Sequence, residues 1–302
     1  MKGPRTDLRI QEKIRRNLTR PHAILAVRTR PPKPAGIIAS TFRVQGKSSH
    51  LLALAFPALI LLLWFFVTAT GRIERFFLPS PVSTLRTAWV MLASGDFWSD
   101  VGISLSRILA GFLVASVAAI PCGIGMGRSR MFNAFVEPSI SFIRFVPMPA
   151  VIPLMILWFG SGEWGKVMII CLGVFFQLVL MVADAVAYVP EAYYEIARSL
   201  GASAQQRLFD FTIPAAAPEI MDSLRINFGL AWATLIFAEI LGATSGLGFL
   251  IVRSQRYLLT EQIFVAVLVI GLLGVAFDQI FEKAYRRWFP WSVQVQRLEA
   301  RR

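Results

Sequence analysis

From residue 50 to residue 289 the sequence consists mainly of apolar side chains, and this feature constrains the fold more than any other. Hydrophobic residues make up 56% of the 302-residue chain, and charged residues only 16%. So few charges cannot cover the surface of a soluble domain. The apolar runs reach about 20 residues, the length that an α-helix needs to cross a bilayer. The sequence therefore predicts an all-α, polytopic membrane protein.

We predict about six transmembrane helices, one for each long apolar segment. The segments are residues 51–70, 103–126, 136–159, 167–189, 224–241 and 263–281. Four prolines interrupt the third segment, and the backbone groups that they free must be satisfied by protein or by a wet cavity. We therefore expect an irregular helix beside a translocation path there. Small residues in the second segment predict close helix–helix packing, namely Gly111, Ala115, Ala118, Ala119 and Gly123.

The positive charge of the chain follows a pattern that is typical of membrane topology. The net charge is +13, and the basic residues lie at the two ends and in loops. No element that could read nucleic acid separates from the apolar mass. Six spans place both termini on one side, and the positive-inside rule makes that side cytoplasmic. We thus divide the chain into a basic cytoplasmic tail (1–48), a transmembrane domain (49–290) and a cytoplasmic C-terminal tail (291–302).

Residues 190–218 form the longest polar interruption of the apolar region, and we call them the elbow. Pro190 suits a first helical turn, and Gly201 suits the left-handed end of that helix. We expect its buried side to hold Tyr194, Ile196, Ala197 and Leu200. Ser203 and Gln206 have capping-box spacing, which predicts a second short helix ending before Pro214. The elbow is too polar to span a bilayer.

The elbow carries a resemblance to a known family. Glu195-Ile196-Ala197, three residues, Gly201, nine residues and Phe211-Thr212-Ile213-Pro214 follow each other in order. This run resembles the signature loop of ABC importer permeases, with Ile196, Phe211 and Ile213 as conservative departures from its pattern. The sequence of residues 197–203 is similar to that of the family branch whose members handle nitrate, sulfonate, taurine and bicarbonate. The resemblance covers residues 78–290 and implies a type I ABC importer permease-like fold.

The resemblance also implies partners and a location. It implies the bacterial inner membrane, a second permease copy in a homodimer, two ABC ATPase subunits and an extracytoplasmic solute-binding protein. The elbow would then couple transport to the ATPase, through Glu195, Ile196, Ala197, Gly201, Ile213 and Pro214. Gly201 is expected to set the turn, Ile196, Ala197 and Ile213 to pack it, and Glu195 to cap it or to pair with an arginine. No phosphate-binding P-loop motif occurs in the sequence, so ATP and Mg²⁺ are expected on the partner ATPase and no cofactor on this chain.

Three residues are candidates for the translocation path: Arg144, Met148 and Glu239. A charged residue within a span is costly and marks a functional candidate. Arg144 could face an anionic solute, but it could equally snorkel to the interface or pair with a carboxylate. Glu239 could gate the path or hold the loop 242–248 by hydrogen bonds, and we prefer the second role.

Two other classes of protein are less consistent with the sequence. An ion-coupled secondary transporter or channel would use charges such as Arg144, Asp184, Glu239 or Asp278 as its ion path, but the signature loop argues against it. A membrane enzyme would need a nucleophile with a base, or a metal cluster. Both histidines lie outside the apolar bundle, and Cys122 and Cys171 are isolated, so we predict neither catalytic nor metal-binding residues.

Overall fold

The computed structural model describes residues 47–292, with side chains from residue 55 onward. Within these bounds the chain is helical throughout, with short connections and no strand. The elements are α1 (Lys47–Ala69), α2 (Pro81–Leu92), α3 (Gly95–Arg128), α4 (Arg130–Ile143), α5 (Met148–Phe159), α6 (Glu163–Ala187), α7 (Glu191–Ser199), α8 (Ala204–Gln206), a π-helix (Arg207–Thr212), α9 (Ile213–Gly242), α10 (Leu247–Arg256) and α11 (Thr260–Trp288). Apart from Lys47, Ser48, Trp291 and Ser292, the two predicted tails lie outside the described residues.

Four helices within the described residues are long and apolar enough to cross a membrane. They are α3, α6, α11 and the continuous helix Ala204–Gly242, which includes α8 and α9. Helices α4 and α5 meet at a bend of 99° and together have the length and composition of a broken span or a re-entrant loop. The described apolar part of α1 is shorter, Ala55–Ala69. The prediction of an all-α polytopic membrane protein is confirmed, with four candidate spans among the described residues, or five if the bent pair is one span.

The prolines of the predicted third span explain its bend. Pro147 is the N-cap of α5, and Pro149 lies in the first turn of that helix. Neither residue has an N–H to donate, so the chain cannot continue α4 through them. Pro138 and Pro153 lie inside α4 and α5 without ending them. The predicted helix irregularity in this segment is confirmed, because the chain turns by 99° between α4 and α5.

Helices α3, α6 and α9 form the main core, and glycines set the distance between α3 and α6. A Cβ on Gly111 would lie 2.6 Å from the Cβ of Ile170, and one on Gly123 would lie 2.7 Å from the carbonyl oxygen of Val179. These glycines therefore let the two backbones approach closely, as predicted. The prediction is also confirmed for Ala115 and Ala119, which are buried in this core. It is wrong for Ala118, whose position on the outer face of α3 leaves it exposed.

A second, smaller core lies at the end of α9 that is remote from the elbow. Helix α10 was not predicted, and it packs there against α3 and α11 through Leu247 and Leu250. Helix α2 contributes Met91 to the same core, and the Ser80 hydroxyl caps this helix by accepting a hydrogen bond from Ser83 N at 3.1 Å. Helix α1 joins this end through Trp64, whose Nε1 donates to the Pro79 carbonyl at 2.9 Å.

Candidate functional site

The first half of the elbow ends in a glycine-dependent turn. Gly201 has φ +77°, a left-handed conformation that favours glycine. Its N–H donates to the Arg198 carbonyl at 3.0 Å, and the N–H of Ala202 donates to the Ala197 carbonyl at 3.0 Å. This pair of bonds is a Schellman motif, which satisfies the last carbonyls of α7. The predicted turn at Gly201 is confirmed.

The second half of the elbow opens as predicted but does not end as predicted. Ser203 and Gln206 form a capping box in which each side chain bonds to the other residue's N–H. Helix α8 then runs without a break through the π-helix into α9, so the expected end before Pro214 is wrong. Pro214 lies in the first turn of α9, directly after the widened π turn. Because the ladder changes register in that turn, the missing N–H of proline does not end the helix.

The exposed face of α7 differs from the predicted one. Ala197 is fully buried and Tyr194 is half-buried, as expected. The prediction is wrong for Ile196 and Leu200, which are 58% and 75% exposed, because the core contacts only the face that carries Ala197. Four large side chains thus remain exposed on the elbow and form what we call the apolar elbow patch, namely Tyr193, Ile196, Leu200 and Phe209.

The other predicted elbow residues have simpler surroundings. Ile213 is half-buried at the start of α9, while Pro214 is exposed. Glu195 is exposed, and among the described residues its carboxylate forms no ion pair with an arginine. The expected cap or arginine partner of Glu195 is therefore absent from the described chain. Glu195 leaves its charge beside the apolar elbow patch, where a partner could meet it.

A buried ionic group, the polar cluster, lies at the opposite end of α9. It consists of Asp100, Ser104, Arg107, Glu163, Lys166 and Glu239. Arg107 is at its centre and is only 2% exposed. The guanidinium donates to both carboxylate oxygens of Glu163 at 2.6 Å and to Glu239 Oε1 at 2.8 Å. The cluster therefore ties α3 to both α6 and α9.

The polar cluster also fixes the loop between α9 and α10. Three successive backbone N–H groups at the end of the loop and the start of α10 donate to it: Gly246 to Asp100 at 2.7 Å, Leu247 to Ser104 at 2.8 Å and Gly248 to Glu239 at 2.8 Å. Gly246 has φ +106°, and a Cβ there would overlap the Glu239 carboxylate. The structure thus contains the hydrogen bonds that the loop-holding role of Glu239 requires.

The three path candidates have different surroundings, and no hydrogen bond or ion pair among the described residues joins them. Arg144 caps α4 at the bend, where its guanidinium lies 5.0 Å from the ring centre of Phe145. Its side chain is exposed, and no described carboxylate lies within ion-pair distance of it. Met148 begins α5 and packs beside Ile152. Glu239 is fully buried in the polar cluster.

Sequence reasoning missed the centre of the polar cluster. Arg107 lies within the predicted second span, where a charge is expected to be paired or functional. That signal was available, because Arg107 and Glu239 both interrupt apolar runs. A second pair that was missed joins α9 to α11, where Arg225 and Asp278 form two hydrogen bonds of 2.5 and 2.6 Å. Their spacing of 53 residues gives no local sequence signal.

Comparison with known proteins agrees with the signature loop. Residues 111–288 match the family of binding-protein-dependent transport system inner membrane components. The chain belongs to this family. It is 37% identical over 229 residues to a probable ABC transporter permease protein of Brucella abortus (strain 2308), covering 76% of this chain and 90% of that protein.

Two similar relatives have more specific names. The taurine transport system permease protein TauC of Escherichia coli (strain K12) is 33% identical over 81% of this chain and 91% of its own length. The bicarbonate transport system permease protein CmpB of Synechococcus elongatus is 30% identical over 85% of this chain and 94% of its own length. The family thus identifies the chain as an ABC importer permease and an inner membrane component.

The fold agrees with a solved transporter. The chain is similar to an inward-facing structure of the MetNI methionine ABC transporter, with a TM-score of 0.52 and 17% identity. The similarity covers 67% of this chain and 97% of that one. At this identity the likeness concerns the fold alone, and it confirms the type of helical membrane domain that the signature loop implied.

Proposed function

We propose that this chain is the membrane-spanning subunit of an ATP-driven importer, and that the elbow 190–218 couples it to a separate ATPase subunit. The observation that carries the proposal is the apolar elbow patch. Four large side chains are exposed in a polar segment, on a frame that a Schellman motif and a capping box hold in shape. Exposed apolar groups on a rigid polar frame are typical of a protein-docking surface. The coupling residues are Glu195, Ile196, Ala197, Gly201, Ile213 and Pro214.

The distribution of charge supports a cytoplasmic elbow. Basic residues of the loops and helix ends gather at the elbow end of the bundle, namely Arg128, Arg130, Lys283, Arg286 and Arg287. Basic residues next to membrane spans favour the cytoplasmic side. The elbow would then face the ATPase, with both termini on the same side if α1 also crosses the membrane. The Mg²⁺ and ATP of the complex belong in this proposal to the partner ATPase.

A groove between α9 and α11 supports a second permease copy. The groove has a volume of about 300 Å³, and the Arg225–Asp278 pair lies at its edge, beside Trp232 and Gly274. A third to a half of each charged side chain remains exposed (32% and 49%). Charged groups within spans face protein or a wet cavity, because exposure to lipid is costly. A homodimer would cover this pair or enclose it beside a shared path.

We propose a small anion as the solute, delivered by an extracytoplasmic binding protein. The relatives named for taurine, aliphatic sulfonates and bicarbonate belong to systems whose named solutes carry an anionic group. Arg144 supports the proposal, because its exposed guanidinium has no described ion-pair partner and lies at the bend of the broken span. Met148, four residues further along, would line the same path. Glu239 contributes by holding the loop at the outer end.

Gly201 provides the experiment that tests coupling. The structure leaves open space around it, so only its φ of +77° restricts the residue. Gly201→Val places a β-branched residue in the left-handed region, whereas Gly201→Asn is the matched control, since asparagine tolerates that region. We expect the Gly201→Val permease to insert into the membrane normally but to co-purify with less ATPase subunit in mild detergent. The Gly201→Asn permease should retain the ATPase subunit. The ATPase activity of the eluted complex measures how much ATPase subunit has remained bound.

Equal ATPase recovery with both variants would contradict the role of Gly201. A wild-type chain that purifies without any ATPase, and that transports in ATP-free vesicles under an ion gradient, would overturn the whole proposal. It would favour the secondary transporter, for which the Arg225–Asp278 pair would be the charged element inside the bundle.

A further inference from the structure

Tyr194 contacts three separate elements at the elbow end of the bundle. Its hydroxyl lies 2.7 Å from Thr212 Oγ1, in the π-helix. The guanidinium of Arg128, the last residue of α3, lies over its ring at 4.0 Å from the ring centre. The ring also packs against the main core, while its backbone belongs to α7. A single side chain thus joins the elbow to α3 and to the start of α9.

The hydrogen bond of Tyr194 has a defined direction. Thr212 Oγ1 donates its only proton to the carbonyl of Arg207 at 2.8 Å, so it must accept the bond from Tyr194. That arrangement satisfies the Arg207 carbonyl inside the π-helix, where the α-helical ladder is interrupted. Thr212 is 1% exposed, so without the Tyr194 hydroxyl its oxygen would remain buried with no donor, although it still donates to Arg207.

The contacts continue to the turn at Gly201. Arg207 Nη1 donates to the Ala202 carbonyl at 2.7 Å, and Ala202 is the residue that closes the Schellman motif on Ala197. From the turn at Gly201, the contacts therefore run through Arg207 and Thr212 to Tyr194, and from Tyr194 to Arg128. Tyr193, Ile196 and Leu200 of the apolar elbow patch lie at exposed positions of α7 and its C-terminal end, and Phe209 is an exposed residue of the π-helix. None of the four takes part in these contacts.

We propose that Tyr194 is the positioning residue that transmits displacement of the elbow to α3 and α9. The proposal rests on the coupling role of the elbow, which it makes specific. A push on the apolar elbow patch moves α7, and the Tyr194 hydroxyl passes that movement to the π-helix and hence to α9. The ring passes it to α3 through the cation–π contact with Arg128. Tyr194 transmits the force without touching the ATPase or the solute.

Two conservative variants test this with the full-length permease in nanodiscs, together with its co-purified ATPase. Tyr194→Phe removes the hydroxyl and keeps the ring, and Tyr188→Phe is the matched control on an exposed tyrosine outside the apolar elbow patch. Without nucleotide, we expect the amides of residues 207–212 to exchange roughly three- to tenfold faster in Tyr194→Phe than in wild type, because one buried hydrogen bond is lost. Tyr188→Phe is expected to exchange at the wild-type rate.

The coupling measurement uses ATP with Mg²⁺ as its probe. In wild type, we expect ATP to change the exchange rate of the loop at residues 242–248, remote from the elbow. In Tyr194→Phe the ATPase should remain bound, while this ATP-dependent change falls by at least half. Arg128→Gln should reduce it similarly, and Arg128→Lys, which keeps the cation, should restore most of it. If Tyr194 had a purely structural role, its replacement would change the exchange rates measured without nucleotide but would leave the ATP-dependent change at residues 242–248 intact.

The outcomes separate the two levels of the proposal. A wild-type ATP response in Tyr194→Phe, with ATPase bound, would overturn the role of Tyr194 and leave the coupling elbow standing. Unchanged exchange at residues 207–212 would also overturn it, because the hydroxyl would then carry no force. Absence of any ATPase with wild-type permease would refute the importer complex itself, and the transmission role with it.

Discussion

Replacing Arg107 by leucine gives the most direct test of the polar cluster. The guanidinium makes five hydrogen bonds: two to Glu163, one to Glu239 and two to Ser245. Leucine preserves much of the apolar stem and removes every one of these bonds. Glu239 would then be a fully buried carboxylate with only Ser104 and the N–H of Gly248 as partners. The positive charge of Arg107, which neutralises the Glu239 carboxylate, would be lost.

The expected cost is large because the remaining charge cannot reach water. Removing one partner of a buried ion pair costs about 3–5 kcal/mol of the free energy of unfolding. For a domain of about this size, 1 kcal/mol corresponds to roughly 2–4 °C in Tm. We therefore expect Arg107→Leu to lower Tm by about 6–20 °C. Glu163 contributes less to this cost, because its side chain is 63% exposed and water can solvate it.

The assay is thermal unfolding of the purified permease in mild detergent, followed by the fluorescence of its eight tryptophans. Arg286→Leu is the matched control. Arg286 pairs with Glu282 one turn away on α11, and both side chains are substantially exposed. Exposed pairs of this kind contribute about 0.3–0.5 kcal/mol, so the control should change Tm by about 2 °C at most.

A double variant tests the reasoning itself. Arg107→Leu combined with Glu239→Gln removes both charges and keeps an amide oxygen for the Gly248 N–H. If the cost comes from an uncompensated carboxylate, the double variant must be more stable than Arg107→Leu alone. Equal loss in Arg107→Leu and Arg286→Leu would refute the electrostatic reasoning. A double variant less stable than the single one would show that the geometry of the hydrogen bonds, rather than the charge, is what stabilises the loop.

Two further predictions concern packing and capping. Gly123→Ala should lower Tm by several degrees, because the new Cβ would lie 2.7 Å from Val179 O and Val182 Cβ. The control is Gly102→Ala on the same helix, which has open space around it and should leave Tm unchanged. Equal Tm values for the two variants would contradict the close packing of α3 on α6. Ser203→Ala removes the capping box and should cost about 0.5–2 kcal/mol locally. Limited proteolysis should then cut the elbow faster than in wild type, while an unchanged cleavage rate would show that the box does not hold it.

The sequence predicted those features that depend on local residue preferences. Gly201 and the Ser203–Gln206 box follow from rules for helix ends, and both are present. The second span was predicted as residues 103–126, which includes Arg107 but not Asp100. In the structure α3 begins earlier, at Gly95, and buries Asp100 against the N–H of Gly246 and Arg107 against Glu239.

Features that depend on distant partners could not be predicted in the same way. Glu239 meets Arg107 across 132 residues, and no local pattern specifies that pairing. The exposure of Ile196 and Leu200 was missed for a related reason. Helical periodicity identifies an apolar side, but it does not say whether that side packs on the same chain or awaits another one. Only the position of Ala197 against the core distinguishes the two faces.

The arrangement of α9 connects the two ends that carry the polar and the apolar sites. The continuous helix Ala204–Gly242 begins in the elbow and ends three residues after Glu239, within the polar cluster. At about 1.5 Å per residue, its 39 residues extend over about 58 Å, more than the thickness of a bilayer. Glycines pack α3 closely on α6, and the polar cluster bonds α3 to both α6 and α9. These three helices therefore resist separation at the end remote from the elbow.

The α4–α5 pair is less constrained, because its bend lies outside the main core and carries exposed side chains on both sides. We therefore expect movement at the elbow to reach the far loop through a stiff element, and the bundle to change shape at the bend beside Arg144.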